Sequence, residues 1–366
     1  MVPDSVSRPQ LPGAAIAQQQ QKQTDYGAKP KRSLDYIIKS GLAGGLAGCA
    51  AKTVVAPLDR VKILFQTSTP EYTRYRGSWH GFLSAISVIR QKEGTRGLFK
   101  GHSATLLQKF PYAAINFLGY EQIRATLIPS KDKETPFRRL LSGSLAGVVS
   151  VLFTYPFDLI RVRMAIEISH QHRSSMRAVC WQIYHEHSHP HPPSAAATTP
   201  ATATGTNETL FNKLSQRFKL ANFYRGFSPT LLGMIPYAGM SFFTHDQVGD
   251  WLRSPTLAPY TTIPNSVTKP GSRHAGRPQL VAPAELSAGA LAGAVAQTTS
   301  YPFEVLRRRM QVGGHRLGIG GTCRKMWAEN GFRGFWVGLS IGYFKVVPLV
   351  ATSFLVYERL KWAFGI

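Results

Sequence analysis

Any fold for this chain has to accommodate one block that occurs three times. Pro57, Asp59 and Lys62 return as Pro156, Asp158 and Arg161, and again as Pro302, Glu304 and Arg307. Glycines precede each proline by thirteen and nine residues, at Gly44 and Gly48, Gly143 and Gly147, and Gly289 and Gly293. Five positions in a shared register mark an internal triplication, with copies of about a hundred residues each.

The block has a direct physical reading. Glycines four apart strip side chains from one face of a helix, which predicts the close backbone approach that packs helices in lipid. The proline interrupts the hydrogen-bond ladder and bends the helix. An acid and a base three residues apart share a face. Each pair follows a long apolar run, where ionisable groups face a bundle interior or a polar cavity, so the pairs are read as inward-facing and functional.

A net charge of +24 calls for an anionic partner. The basic residues are spread through apolar segments with no zinc-finger spacing and no RNA-binding aromatic signature, which argues against nucleic acid. Cys49, Cys180 and Cys323 match no metal or redox spacing and imply no disulfide framework. The mean hydropathy of −0.11 hides six segments read as long and apolar enough to cross a bilayer if one face of each lines water.

Residues 1–32, rich in Gln and Pro, read as a disordered extension without a secretory leader. Repeat 1 covers 33–128: a long helix from Ser33 to Gln66, an amphipathic surface helix from Ser78 to Gln91, and a second long helix from Ser103 to Leu127 bent near Pro111. Repeat 2 covers 136–253, with long helices predicted from Phe137 to Ile168 and from Ser228 to Leu252 and a surface helix from Ser174 to His187. A low-complexity insertion at 188–210 interrupts it, and His185, His187, His189 and His191 among prolines read as a flexible loop rather than a metal site. Residues 254–280 read as a linker. Repeat 3 covers 281–366, with helices from Pro283 to Val312, Ile319 to Glu329, and Leu339 to Phe364 around Pro348. Six spans put both termini on one side.

PLDRVK, PFDLIRVR and PFEVLRRR, each followed by a variant of acid-Gly and then aromatic-base-Gly, resemble the signature of mitochondrial carriers from Ser33 to the C-terminus. Repeat 2 departs by its insertion before Phe223-Tyr224-Arg225-Gly226. Repeat 3 departs because Asn330-Gly331 and Trp336-Val337-Gly338 lack the acid and the base. The resemblance implies an all-α membrane protein: six transmembrane helices in three pseudo-threefold-related repeats, forming a barrel in the mitochondrial inner membrane. It implies a monomeric transporter rather than an enzyme, without cofactor or metal, whose axial substrate site lies between two gates.

The matrix gate implied by the resemblance pairs Asp59 with Arg161, Asp158 with Arg307 and Glu304 with Lys62. Gln66 and Gln311 would brace two of these pairs, and Ala165 stands where a third brace would be. The cytoplasmic gate would use Glu121 with Arg124 after Tyr120, and Glu358 with Lys361 after Tyr357. Repeat 2 offers only Asp246 after His245, with Gly249 in place of a base. Three pairs with two braces on the matrix side, against at most two pairs on the cytoplasmic side, predict an empty carrier that rests open to the cytoplasm, by about 1 to 2 kcal/mol.

Positions that differ among the copies report on an asymmetric ligand. Three residues before the even-helix prolines stand Gln108, Gly233 and Lys345, which match the substrate contact points of the family. Gly233-Met234 resembles the Gly-aliphatic pair of nucleotide-type carriers, where a small residue leaves room for a flat base. Lys52 has Val151 and Gln297 as counterparts, and a lone intramembrane lysine suits a phosphate-bearing ligand. With Lys109 and Tyr237, these residues make up the expected substrate site; the alternative for Lys109 is snorkelling to lipid headgroups.

Within the family, FPYAAINF, NFYRGFSPTLLGMIPYAGMSFFTHD and YPFEVLRRRMQVGGHRLGI are most similar to coenzyme A carriers. That implies import of coenzyme A by exchange with an adenine nucleotide such as adenosine 3′,5′-diphosphate. The alternatives are another adenine nucleotide (ATP-Mg, ADP or AMP), or a non-transporting adaptor on the same fold. Phe99-Lys100-Gly101 and Tyr224-Arg225-Gly226 resemble the family's cardiolipin clamps, where a helix N-terminus and a base meet lipid phosphate.

Overall fold

The computed structural model describes residues 34–128, 135–167, 175–186, 219–267, 278–313 and 318–365. The N-terminal extension, the His/Pro insertion and His187, His189 and His191 lie outside them. Packing divides the chain into Thr53–Pro348 and a smaller unit of Met1–Lys52 with Leu349–Ile366.

The order of elements repeats three times. α1 (Leu34–Gln66), a 3-10 turn (Pro70–Tyr75), α2 (Trp79–Gly97) and α3 (His102–Leu127) form the first copy. α4 (Pro136–Ile166), α5 (Met176–His185), a 3-10 turn (Lys219–Tyr224) and α6 (Phe227–Leu252) form the second. The third comprises α8 (Ala282–Val312), α9 (Ile319–Asn330), a 3-10 turn (Phe332–Trp336), α10 (Leu339–Phe344) and α11 (Val346–Phe364).

The surface helix of repeat 1 runs beyond its expected end at Gln91, changing direction at Gly94, whose φ of +72° only glycine adopts freely. The last long helix breaks at Lys345, three residues before Pro348. The expected linker is partly ordered. α7 (Ala258–Thr261) leads into β1 (Thr262–Val267), which pairs antiparallel with β2 (Pro278–Leu280). Arg253 Nε donates to Pro278 O at 2.9 Å, and Leu280 buries against Leu252, Ala284 and Ala288, so the ends of α6 and α8 hold this hairpin.

In the larger unit each copy builds the same small core. The half of the odd helix after its proline buries one apolar face against its surface helix: Val61, Leu64 and Phe65 against Phe82, Ala85 and Ile89; Leu159, Ile160 and Met164 against Val179 and Ile183; Val305 and Leu306 against Met326. Periodic spacing of these residues produces the match.

Ion pairs lock each core, and here the sequence signature needs correction. Arg163 holds Glu186 and Arg309 holds Glu329, both arginines standing seven residues after the proline. Glu329 is thus the acid of repeat 3, one residue ahead of the expected position. In repeat 1 that arginine position is Leu64, fully buried in the core, and Arg60 binds Glu93 instead.

Within the larger unit the glycine stripes of the second and third copies do not bring backbones together. A Cβ at Gly143, Gly289 or Gly293 would meet nothing within 4 Å, and one at Gly147 would meet only the Met234 methyl at 3.4 Å. Close approach occurs nearer the prolines, where a Cβ on Gly233 would lie 2.9 Å from Phe303 Cβ and one on Gly342 would lie 2.6 Å from Gln297 Nε2.

Among the described residues, three stretches are long and apolar enough to cross a membrane: Ile38–Gln66, Leu141–Ile166 and Phe332–Phe364. The other three expected spans are long helices too polar to qualify by composition. α8 carries Gln297-Thr298-Thr299-Ser300 and three successive arginines. α3 and α6 nevertheless expose large apolar side chains, among them Phe110, Phe117, Leu118 and Phe243.

Candidate functional site

Three ion pairs close a cycle within the larger unit, each joining one copy to the next. Arg161 Nη2 lies 2.7 Å from Asp59 Oδ2, Arg307 Nη2 lies 2.6 Å from Asp158 Oδ2, and Lys62 Nζ lies 2.8 Å from Glu304 Oε1. The proline two residues before each acid sets the angle of the half-helix that carries the pair. The even helices reinforce the cycle at their starts. Gly101, Gly226 and Gly338 all have φ near +80°, and each sits against the odd helix of the following copy. A Cβ there would lie 2.6 Å from Arg161 O, 3.0 Å from Arg307 O, and 3.5 Å from Lys62 Cγ.

Every acid of the cycle has a second partner. Gln66 Nε2 donates to Glu304 at 3.2 Å and to the Tyr301 hydroxyl at 3.0 Å. Gln311 Nε2 donates to Asp158 at 2.8 Å and to the Tyr155 hydroxyl at 3.1 Å. The tyrosines, each just before a block proline, pass the network on by donating to Val337 O and Arg225 O. At the interface of copies 1 and 2 both positions of this brace are alanine, Ala56 and Ala165. There Lys345 Nζ approaches Asp59 Oδ1 at 2.9 Å.

Two of these cations were not expected in the cycle. The sequence pattern points Lys345 toward substrate and gives Arg308 no role. Arg308 Nη1 donates to Asp158 Oδ2 at 2.9 Å and to Gln311 Oε1 at 3.0 Å from a buried position. Its counterparts in the other copies are the buried Ile63 and Val162, so a base replacing two apolar residues was the available signal. Five bases thus engage three acids, leaving a surplus of positive charge.

A cavity of about 820 Å³ opens beside the cycle and includes Glu304 and Arg307 in its wall. Its other lining residues include Ser144 and Val148 of α4, Leu231, Gly233, Met234 and Tyr237 of α6, and Gln297 and Phe303 of α8. The volume falls in the ~300–1,000 Å³ range of small-molecule sites. It brings together Gly233, Met234 and Tyr237 of the expected substrate residues. Gly233 also packs close to Phe303, whose Cβ would lie 2.9 Å from an added methyl. Gly233→Ala is expected to push α6 and α8 apart at this point and cost about 1–3 kcal/mol by overpacking. Thermal unfolding of the purified protein checks this, and an unchanged midpoint would show that the helices can give way.

Gln108 is half-buried and Lys109 exposed on α3, outside that lining. Lys52 is half-buried in the smaller unit. Of the cytoplasmic set, Glu121 and Arg124 are exposed at the end of α3 and Asp246 is half-buried on α6, where the neighbouring His245 Nε2 stands 3.4 Å from Glu285. Glu358 and Lys361 belong to the smaller unit, where the Lys361 ammonium lies over Tyr357 at 5.7 Å and the Tyr357 hydroxyl is 3.3 Å from Ser40 Oγ. Among the described residues no group of three or more His, Cys, Asp or Glu is disposed to hold a metal.

The sequence pattern of the family described as mitochondrial carrier protein matches residues 34–131, 132–188, 197–256 and 278–365, the break after 188 falling in the His/Pro stretch. The chain is 50% identical over 347 residues to a mitochondrial carrier protein of Saccharomyces cerevisiae, covering 92% of this chain and 93% of that one. It is 36% identical over 336 residues to solute carrier family 25 member 16 of Homo sapiens, covering 90% and 89%. It is also 35% identical over 334 residues to the mitochondrial coenzyme A transporter of Xenopus laevis, covering 88% and 84%.

Proposed function

This chain belongs to the mitochondrial carrier family, and from that premise we propose that it imports coenzyme A across the mitochondrial inner membrane in exchange for an adenine nucleotide such as adenosine 3′,5′-diphosphate. A carrier moves its substrate without breaking bonds, so selectivity has to come from charge and shape. The observation that carries the reading is the surplus of bases over acids beside a cavity of about 820 Å³. An anion bearing several phosphates neutralises that surplus, and the apolar wall of Val148, Leu231, Met234 and Phe303 suits a flat base or an alkyl arm. The relative from Xenopus laevis, named for coenzyme A, supports the same choice.

In this reading six long helical segments span the membrane as one monomer. The ring of Asp59, Lys62, Gln66, Asp158, Arg161, Glu304, Arg307 and Gln311 closes the matrix side. Glu121, Arg124, Asp246, Glu358 and Lys361 close the cytoplasmic side in the opposite state. Lys52, Gln108, Lys109 and Lys345 join the cavity residues in meeting substrate.

Cardiolipin remains part of the proposal, with a change of ligands. Lys100 and Arg225, expected at lipid phosphate, are engaged with Glu93 and Glu186. A separate cavity of about 430 Å³ lined by Arg76, Ser78, Arg333 and Gly338 offers phosphate a better-charged seat. Burial there, and then the charge of Arg309, lower the Arg76 guanidinium to about 10, so an anion would be welcome.

Uptake into proteoliposomes loaded with adenosine 3′,5′-diphosphate tests the function. Labelled coenzyme A is expected to enter faster than labelled ATP or ADP, and Lys52→Ala is expected to slow it. Entry of ATP or ADP with coenzyme A excluded would replace the substrate, and no movement of any of them would favour an adaptor.

A further inference from the structure

The three acids of the matrix-side cycle are not braced alike. Glu304 and Asp158 are each held by a neutral glutamine that also grips a tyrosine hydroxyl, and both glutamines are out of solvent, with Gln66 1% and Gln311 0% exposed. Asp59 has no such glutamine at its interface, since Ala165 stands at the glutamine position and Ala56 at the tyrosine position, both buried. Its second oxygen is held by Lys345, whose side chain keeps 21% of its surface exposed. Lys345 also sits at the one-residue gap between α10 and α11, on a flexible four-carbon stem.

These differences have a mechanical consequence. A buried glutamine has no net charge and no access to a solute, so a substrate cannot compete for it. A partly exposed ammonium beside a carboxylate is shared by any stronger anion that reaches it. We infer that Lys345 is a removable brace: it holds Asp59 while the carrier is empty and exchanges the carboxylate for a substrate phosphate when one arrives. Asp59 then keeps Arg161 but loses a counter-charge, and the Asp59–Arg161 pair becomes the weakest of the three. Opening of the matrix side starts at the interface of copies 1 and 2, and starts only when an anion is present. Lys345 is therefore both a substrate contact and the positioning residue for one ring acid. The inference rests on the carrier reading for the existence of an anionic substrate, though not on coenzyme A being that substrate.

Purified full-length protein tests it by anion-induced shifts in thermal unfolding, with coenzyme A, ATP and inorganic tripolyphosphate as separate probes. Asp59→Asn is expected to free Lys345 and tighten anion binding several-fold. Lys345→Gln, which can still donate a neutral brace, is expected to weaken it about tenfold, the size of one charge-assisted contact. Lys345→Arg is expected to restore most of that loss, and it keeps the test intact if Asp59→Asn does not fold. Without any ligand, Lys345→Met and Asp59→Asn are expected to be non-additive in unfolding temperature, because they remove the same contact.

If the anion shifts ignore both Asp59→Asn and Lys345→Gln, or if the two ligand-free effects simply add, the brace does not exist. Absence of any shift in the wild type with all three anions overturns it as well. If ATP or tripolyphosphate discriminates among the variants while coenzyme A does not bind, the brace stands and the substrate named above falls.

Discussion

Asp158→Asn is expected to unseat the matrix-side cycle more severely than any other change to a ring acid. The carboxylate is 7% exposed and serves Arg307 at 2.6 Å, Arg308 at 2.9 Å and Gln311 at 2.8 Å. The amide keeps the shape and removes the charge, leaving two guanidinium groups sequestered without a counter-ion. Breaking a buried pair in this one-sided way costs about 3–5 kcal/mol. That exceeds the ~1 to 2 kcal/mol bias toward the cytoplasm-open state expected from the asymmetry of the gates.

The resting population is therefore expected to move to the matrix-open state. The measurement is thiol labelling of a cysteine introduced at a cavity position, probed from each side of the membrane. Wild type should label from the cytoplasmic side and Asp158→Asn from the matrix side, with uptake reduced at least tenfold. Glu304→Gln provides the contrast, because Glu304 is 30% exposed and water softens its loss. Equal effects for the two substitutions would mean that burial and the second arginine do not matter.

The second large effect is expected at Arg60, which takes no part in the cycle. Its side chain is 1% exposed and its partner Glu93 2%. Arg60 Nη2 meets both Glu93 oxygens at 2.9 and 3.0 Å, Nε donates to Ala165 O at 3.1 Å, and Nη1 donates to Gly97 O. One guanidinium therefore ties α1 to α2 and to the end of α4. Arg60→Met leaves a buried carboxylate with Lys100 alone and takes a side-chain donor from the Ala165 and Gly97 carbonyls, a loss of about 3–5 kcal/mol. Arg60→Lys is expected to recover little, since a single ammonium cannot reach three acceptors in a fork.

Acid dependence separates the charge from the packing. Burial acts to raise the Glu93 carboxyl, but the hydrogen bonds and charges of Arg60 and Lys100 outweigh it and hold it below its ordinary 4.5. A carboxyl depressed in the folded state contributes stability above its unfolded value and loses that contribution as pH falls through the folded one. The stability gap between wild type and Glu93→Gln is therefore expected to be widest at neutral pH and to narrow below about pH 4.5. Thermal unfolding at neutral and acid pH checks this, and a gap independent of pH would show that the amide fails on shape instead.

The sequence determined the periodic part of this protein. A triplicated Pro, acid and base in fixed register dictated three equivalent helices, each with an apolar face of helical spacing, and the surface helices and cores followed. The repetition showed an acid and a base on one face of each odd helix; which acid meets which base across copies was implied by the resemblance to the carrier family. Glu93, Glu186 and Glu329 lay near their signature positions, although the last is shifted by one residue and was overlooked for that reason.

Only the tertiary structure decided what breaks the repetition. Lys345 and Asp59 are 286 residues apart, and no period relates them. Arg308 gave a signal solely by contrast with Ile63 and Val162. Gly233, legible as room for a ligand, lines the cavity and also lets Phe303 pack close, a second role that no local pattern announces. The glycine stripes, legible as packing seams, meet no neighbouring backbone in the larger unit. Local sequence fixes which face of a helix is apolar and where it bends, because those depend on residues a few positions apart. Which charge meets which acid, and whether a small residue faces a helix or a cavity, depends on where separate helices come to rest, and that is settled by packing alone.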